Sequence, residues 1–103
     1  MPIKKINGKG RVVAQIDPRI YDAYVGTYVG TKNSERFKVI KRDDLLLIQK
    51  VSFGTAPLFP ESETEFFLKA ADEQVSFIKD ASGKVIKLIV HQGGHDISAE
   101  RVK

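Results

Sequence analysis

The chain contains no cysteine. Disulfides, thiolate zinc sites and cysteine nucleophiles are therefore excluded, while the compartment stays open. No stretch approaches the roughly 18 consecutive apolar residues that a membrane-spanning helix requires. The opening "MPIKKINGKG" has no apolar segment after its lysines, so no secretory signal is expected in it. An exported parent would carry its signal elsewhere. The expected compartment is periplasmic or extracellular in that case and cytoplasmic otherwise. Internal repeats and low-complexity segments are also missing. Histidine is scarce: there are two, His91 and His95, four residues apart.

What is present fits one globular domain. A chain of 103 residues is long enough for one modest core. Apolar residues at 42% and charged residues at 29% argue against disorder. The net charge of +4 has a location. Lys4, Lys5, Lys9 and Arg11 fall within residues 1–16, which hold no acid, and the remaining 13 basic and 13 acidic residues cancel. Residues 1–16 are expected to be a basic linker or tail, and residues 17–103 the folded domain. A nucleic-acid binder spreads basic charge over a folded face. Here the body is neutral, so neither the leader nor "FKVIKR" (Phe37–Arg42) predicts a nucleic-acid partner.

Local signals give one helix and then strands. Asp17 is a good N-cap, Pro18 suits the first helical position, and Ile16 and Tyr21 stand at the staple positions. Gly26 suits a stop. This predicts a short helix over Pro18 to Tyr24, with "RVVAQI" before it able to add a short edge strand. Beyond Gly26 the period becomes two. Apolar-alternating runs near Thr27–Thr31, Arg36–Lys41, Leu45–Lys50, Thr55–Phe59, Glu65–Lys69, Gln74–Lys79, Val85–His91 and His95–Val102 are separated by short polar turns. Such connections are too short for parallel crossovers. The expected fold is all-β: an eight-stranded antiparallel up-and-down barrel with one short N-terminal helix, closed or nearly closed, since closure removes exposed edges.

The stretch "HQGGHD", His91–Asp96, holds both histidines. Hydrophobic pairing fixes its register. With Gly93-Gly94 as a two-residue turn, His91 opposes Asp96, Val90 opposes Ile97 and Leu88 opposes Ala99. Ile86, Leu88, Val90, Ile97 and Ala99 then share an inward face. The three-residue alternative would set Val90 against Asp96 and bury polar groups. In the chosen register His91 and His95 face opposite sides, so they cannot share a metal, and no other ligand cluster stands out. No metal and no cofactor are expected. A serine relay needs an activated serine beside an oriented base. Ser52, Ser62, Ser76 and Ser98 all lack a G-x-S-x-G context, so no catalytic residue is assigned and the chain is not expected to be an enzyme.

Four stretches together carry a resemblance. They are "YVGTY" (Tyr24–Tyr28), "LFPESET" (Leu58–Thr64), "VSFIKDASGKV" (Val75–Val85) and the closing "HQGG" with Asp96, Ala99 and Arg101. From about Asp17 onward the chain resembles the lipocalin-like accessory β-domain, of unknown function, at the C-terminus of bacterial β-lactamase- and penicillin-binding-protein-like serine hydrolases. The S-x-x-K of that hydrolase class is absent, so no catalytic residue carries over. Family members usually place a basic residue after the Gly pair, where this chain has His95. The resemblance implies a non-catalytic module that packs against a protein partner or a tethered catalytic domain. The alternative is a small apolar ligand held inside the barrel by Phe37, Val39, Phe66, Phe77, Leu88 and Val90. Residue by residue, Gly83 in "DASGK" reads as a hairpin glycine. Of the neighbours Phe66 and Phe67, one ring is expected in the core.

Overall fold

A computed structural model describes residues 6–7, 11–12, 14–32, 35–50, 54–69 and 73–102. Two short strands come first, β1 (Ile6–Asn7) and β2 (Arg11–Val12), paired with each other and separate from the main sheet. The expected edge strand in "RVVAQI" is thus half of a small ladder. The barrel leaves it no edge, because its first and last strands already pair with each other. The backbone N–H of Ala14 nevertheless donates to Pro60 O at 2.7 Å, which ties this segment to the barrel.

Next comes a 3-10 helix over Pro18–Ala23. Asp17 caps it, with Oδ1 accepting from the Arg19 N–H at 3.0 Å. The same carboxylate holds the Arg19 guanidinium, Nη2 to Oδ2 at 2.7 Å. These hydrogen bonds from Arg19, side chain first, hold the Asp17 carboxyl down at about 2. Tyr24 rather than Gly26 ends the helix. Gly26 instead opens a strand with φ 155°, a conformation that favours glycine.

Eight strands follow: β3 (Gly26–Gly30), β4 (Arg36–Arg42), β5 (Leu45–Lys50), β6 (Gly54–Pro60), β7 (Glu65–Leu68), β8 (Glu73–Lys79), β9 (Val85–Gln92) and β10 (His95–Val102). Each pairs antiparallel with the next, and β10 closes on β3 through Ala99–Val102 against Gly30–Thr27. The barrel and its short N-terminal helix are those the period-two pattern predicts. The Gly93-Gly94 hairpin adopts the expected register, with His91 opposite Asp96, Val90 opposite Ile97 and Leu88 opposite Ala99.

One face differs. A register shift between Ile78 and Lys79 pairs Lys79 with Val85 and Ile78 with Lys87. Val85 is therefore buried, and Ile86, expected inside, is 40% exposed. An extra residue in one strand turns its side chain out of step with the neighbours. The Phe66–Phe67 pair is buried as a whole. Phe66 joins the interior cluster. Phe67, one residue out of phase, packs on Phe59 with ring centroids 5.8 Å apart.

Rings fill the barrel interior at its helix end. Tyr24 stacks on Phe77 at 4.5 Å and meets Phe66 edge-on at 5.9 Å, while Phe66 and Phe77 cross at 87°. Tyr21 and Tyr28 flank them. Tyr28 donates its hydroxyl proton to Tyr24 O at 2.8 Å, and the Tyr24 hydroxyl donates to Glu63 O in the β6–β7 turn. Tyr24 and Tyr28, both fully buried, thus satisfy their polar tips, as dense cores demand.

Candidate functional site

The six residues expected to line the interior share one inward face. Phe37, Val39, Phe66, Phe77, Leu88 and Val90 are each 2% exposed or less and belong to one cluster with Tyr24, Tyr28, Leu46, Ile48 and Leu58. Alternation puts them there: β4, β7, β8 and β9 each send every second side chain inward.

Three polar side chains stand in the same interior, at the end away from the helix. Lys50 follows Leu46 and Ile48 on the inward face of β5, yet is only 6% exposed. Its Nζ lies 3.8 Å from Glu73 Oε2 and 5.8 Å from the centroid of the Phe37 ring. Gln92 Nε2 donates to the same Glu73 oxygen at 3.1 Å. A buried ammonium needs such a carboxylate. The pattern "LLLIQK" marks Lys50 only by its phase.

A second polar group lies on the outer wall. His91 Nδ1 and Asp96 Oδ1 are 2.8 Å apart, the cross-strand pair the hairpin register predicts. The other ring nitrogen, Nε2, lies 2.9 Å from Ser76 Oγ. Ser76 in turn donates to Glu65 Oε1 at 2.5 Å. The sequence does not reveal the serine, because the shift near Lys79 hides the β8–β9 register. With Gln74 opposite His91, Ser76 is the diagonal neighbour of the imidazole.

Serine, histidine and aspartate thus stand in the order of a nucleophile, a base and its orienting group. Two features oppose that use. The Ser76 proton has Glu65 as an acceptor besides the imidazole. Ser76 is also 7% exposed and lies in a strand paired on both sides, to Glu65 and to Ile89. Its surrounding amides therefore serve the sheet and are not turned toward a substrate oxygen, as an oxyanion hole requires.

A third arrangement belongs to Arg101, which the sequence marks only as part of a motif. Its Nη1 donates to Ala23 O at 3.0 Å and to Val85 O at 3.2 Å, and its Nη2 donates to Val25 O at 2.7 Å. One guanidinium joins the helix exit, the start of β3 and the start of β9. Gly26 lets it approach, because a Cβ there would sit 3.1 Å from Arg101 Nε. Among the described residues no group of three or more histidines and carboxylates is placed to hold a metal, and no helix is long and apolar enough to cross a membrane.

The fold and these sites define a small, closed β-barrel module with a packed interior. Residues 10–101 match the family model "Domain of unknown function (DUF3471)", and the chain belongs to that family, which is a C-terminal domain of β-lactamase- and penicillin-binding-protein-like proteins. It is also similar to penicillin-binding protein 4* of Bacillus subtilis (strain 168), with 32% identity over 90 residues. That match covers 85% of this chain and 19% of the relative, so the chain spans about a fifth of that protein's length. No solved structure matches the chain.

Proposed function

We propose that this barrel is a non-catalytic accessory module that packs against a hydrolase-like partner domain, tethered or separate. The observation that carries this reading is the coverage. In the relative the matching region is 19% of a much longer penicillin-binding protein, so the bulk of that protein lies outside it. The internal chemistry fits. Ser76, His91, Asp96 and Glu65 brace β7, β8, β9 and β10 to one another, and Lys50, Glu73 and Gln92 bind β5, β8 and β9 across the interior. Both groups read as polar staples of the wall.

The test uses the relative in three forms: intact, with its matching region deleted, and with this chain grafted in that place. Turnover and thermal stability are measured for each. A graft that restores either property toward the intact value supports the reading. A graft that behaves as the deletion, where the deletion itself lowers both, overturns it.

A second reading keeps the six inward residues as the binding site for a small apolar ligand. Their convergence on one face favours it. Such a ligand would have to displace side chains that already touch one another. Native mass spectrometry of the purified chain decides: an added mass of a few hundred daltons favours the ligand, and a bare chain mass counts against it.

A further inference from the structure

Among the described residues three large apolar side chains are exposed: Leu45, Ile86 and Val102. Two of them, at 40% and 42% exposure, line one half-open cleft of about 700 Å³ beside the starts of β3 and β9 and the end of β10. This volume lies in the range of ligand sites. The apolar lining comes from Val25, Ile86 and Val102, with Gly26 leaving the backbone bare between them. Lys84, Lys87 and Arg101 also border the cleft, against one acid, Glu100. Three cations against one anion leave a local excess of two positive charges on a body whose charges cancel overall. Arg101 is committed to three carbonyls, and Glu100 stands opposite Lys87 across the strands. Lys84 is exposed, with Asp80 beside it in the β8–β9 turn.

The exposure of Ile86 is produced by the fold. The β8–β9 register shift turns it outward while Val85 takes the inward place. Bulges that re-aim a side chain concentrate at barrel rims and beside functional sites. The barrel is closed, so a partner cannot add a strand to an edge and must be held through side chains.

We propose that this cleft is the docking site for a short peptide segment of the partner domain that presents an aliphatic side chain flanked by carboxylates. The aliphatic group sits on Ile86 and Val102, and the carboxylates face Lys84 and Lys87. This rests on the accessory-module reading and names the surface that reading leaves open.

The test is a titration of the isotope-labelled chain, followed by amide chemical shifts. The probes are the peptide acetyl-ELLE-amide, its charge-reversed twin acetyl-KLLK-amide, and octanoate. The acidic peptide is expected to give saturable shifts within residues 84–87 and 100–102. Ile86→Ser is expected to weaken it about tenfold, the loss that follows from one aliphatic contact, and Lys87→Glu to weaken it by about as much, by setting like charge against the peptide's carboxylates. Leu45→Ser, at the exposed apolar residue outside the cleft, is expected to change nothing. Equal binding of the basic peptide, shifts elsewhere, or no saturable shift overturns the proposal. Saturation by octanoate without the peptide overturns it in favour of a small amphiphile. The two readings fail separately in the grafted relative. If the graft supports turnover and Ile86→Ser with Lys87→Glu leaves that support intact, the cleft is wrong and the accessory role stands. If the graft behaves as the deletion while the peptide still titrates into the cleft, the accessory role fails and the cleft stands as a peptide site.

Discussion

Replacing Arg101 tests whether one side chain holds the barrel's seam to its helix. Its guanidinium donates to three carbonyls, of Ala23, Val25 and Val85. Hydrogen bonds from a charged group contribute about 1.5–3 kcal/mol each when their loss leaves an acceptor dry. Ala23 is exposed, so its carbonyl regains water. Val85 is 1% exposed and Val25 half-buried, so their carbonyls regain less. Arg101→Met should therefore cost about 3 kcal/mol, which in a domain of this size lowers the melting temperature by more than about 10 °C. Arg101→Lys keeps the charge but not the planar fork, and should cost about half as much. Gly26→Ala adds a second handle. It carries the strain of φ 155°, about 1–3 kcal/mol, and pushes a Cβ to 3.1 Å from Arg101 Nε. In the Arg101→Met background only the strain remains, so the double mutant should be more stable than the sum of the two losses implies. Urea unfolding followed by circular dichroism measures all four proteins. A loss under about 1 kcal/mol for Arg101→Met, or additive single mutants, would refute the reasoning.

The remaining predictions concern single polar groups. Burial pushes the Tyr28 hydroxyl up to about 12 and raises Tyr24 and Tyr21 as well. A raised folded value keeps its contribution below the unfolded value of about 10 and loses it as pH rises toward 12. Stability should fall between those limits, and Tyr28→Phe should flatten the urea midpoint against pH there. For Asp17 the folded value is lowered, so its cap contributes above the unfolded value near 4 and is lost as pH falls toward about 2; Asp17→Asn should remove that acid dependence from helix-region hydrogen exchange. Glu73→Leu removes the carboxylate 3.8 Å from the buried Lys50 ammonium and should cost about 3 kcal/mol, while adding Lys50→Met should recover most of it; an unrecovered double mutant would show that the pair is not the cause. Ser76→Ala should cost about 1–2 kcal/mol by releasing Glu65 and His91, with the His91–Asp96 coupling seen by NMR surviving.

The eight strands were legible because alternation and turn residues agreed in almost every run. Gly93-Gly94 set its hairpin, since the three-residue alternative would have set Val90 against Asp96 and Leu88 against Ser98. Val85–Val90, "VIKLIV", was harder. Both of its phases carry apolar residues, so periodicity alone could not say whether Val85 or Ile86 turned inward. The bulge at Ile86, opposite Ile78 and Lys79, decided it, and a bulge leaves no signature in a single strand's composition. That same blind spot hid the Ser76–His91 contact, which exists only once β8 and β9 are in register. The role of Arg101, marked only as part of a motif, was hidden for a different reason. Its partners are carbonyls, which every residue has, so no side-chain pattern announced them. Phe67 likewise reads as a misplaced core ring until Phe59 is seen beside it.

The position of the aromatic rings decides where recognition can occur. Tyr21 and Tyr24 come from the helix, and they meet Phe66 and Phe77 in the volume where an eight-stranded barrel could otherwise hold a ligand. Removing those rings would open space but also forfeit the burial that holds the helix to the barrel, at about 3–5 kcal/mol for each large ring. Selection for an interior ligand site would therefore work against the packing of the N-terminal segment. The outer wall carries no such conflict. Ile86 can be lost or kept without touching the core, since it already faces water. If the cleft docks a partner segment, residues such as Ile86, Lys84 and Val102 can change without cost to the barrel, and that is where specificity is expected to reside.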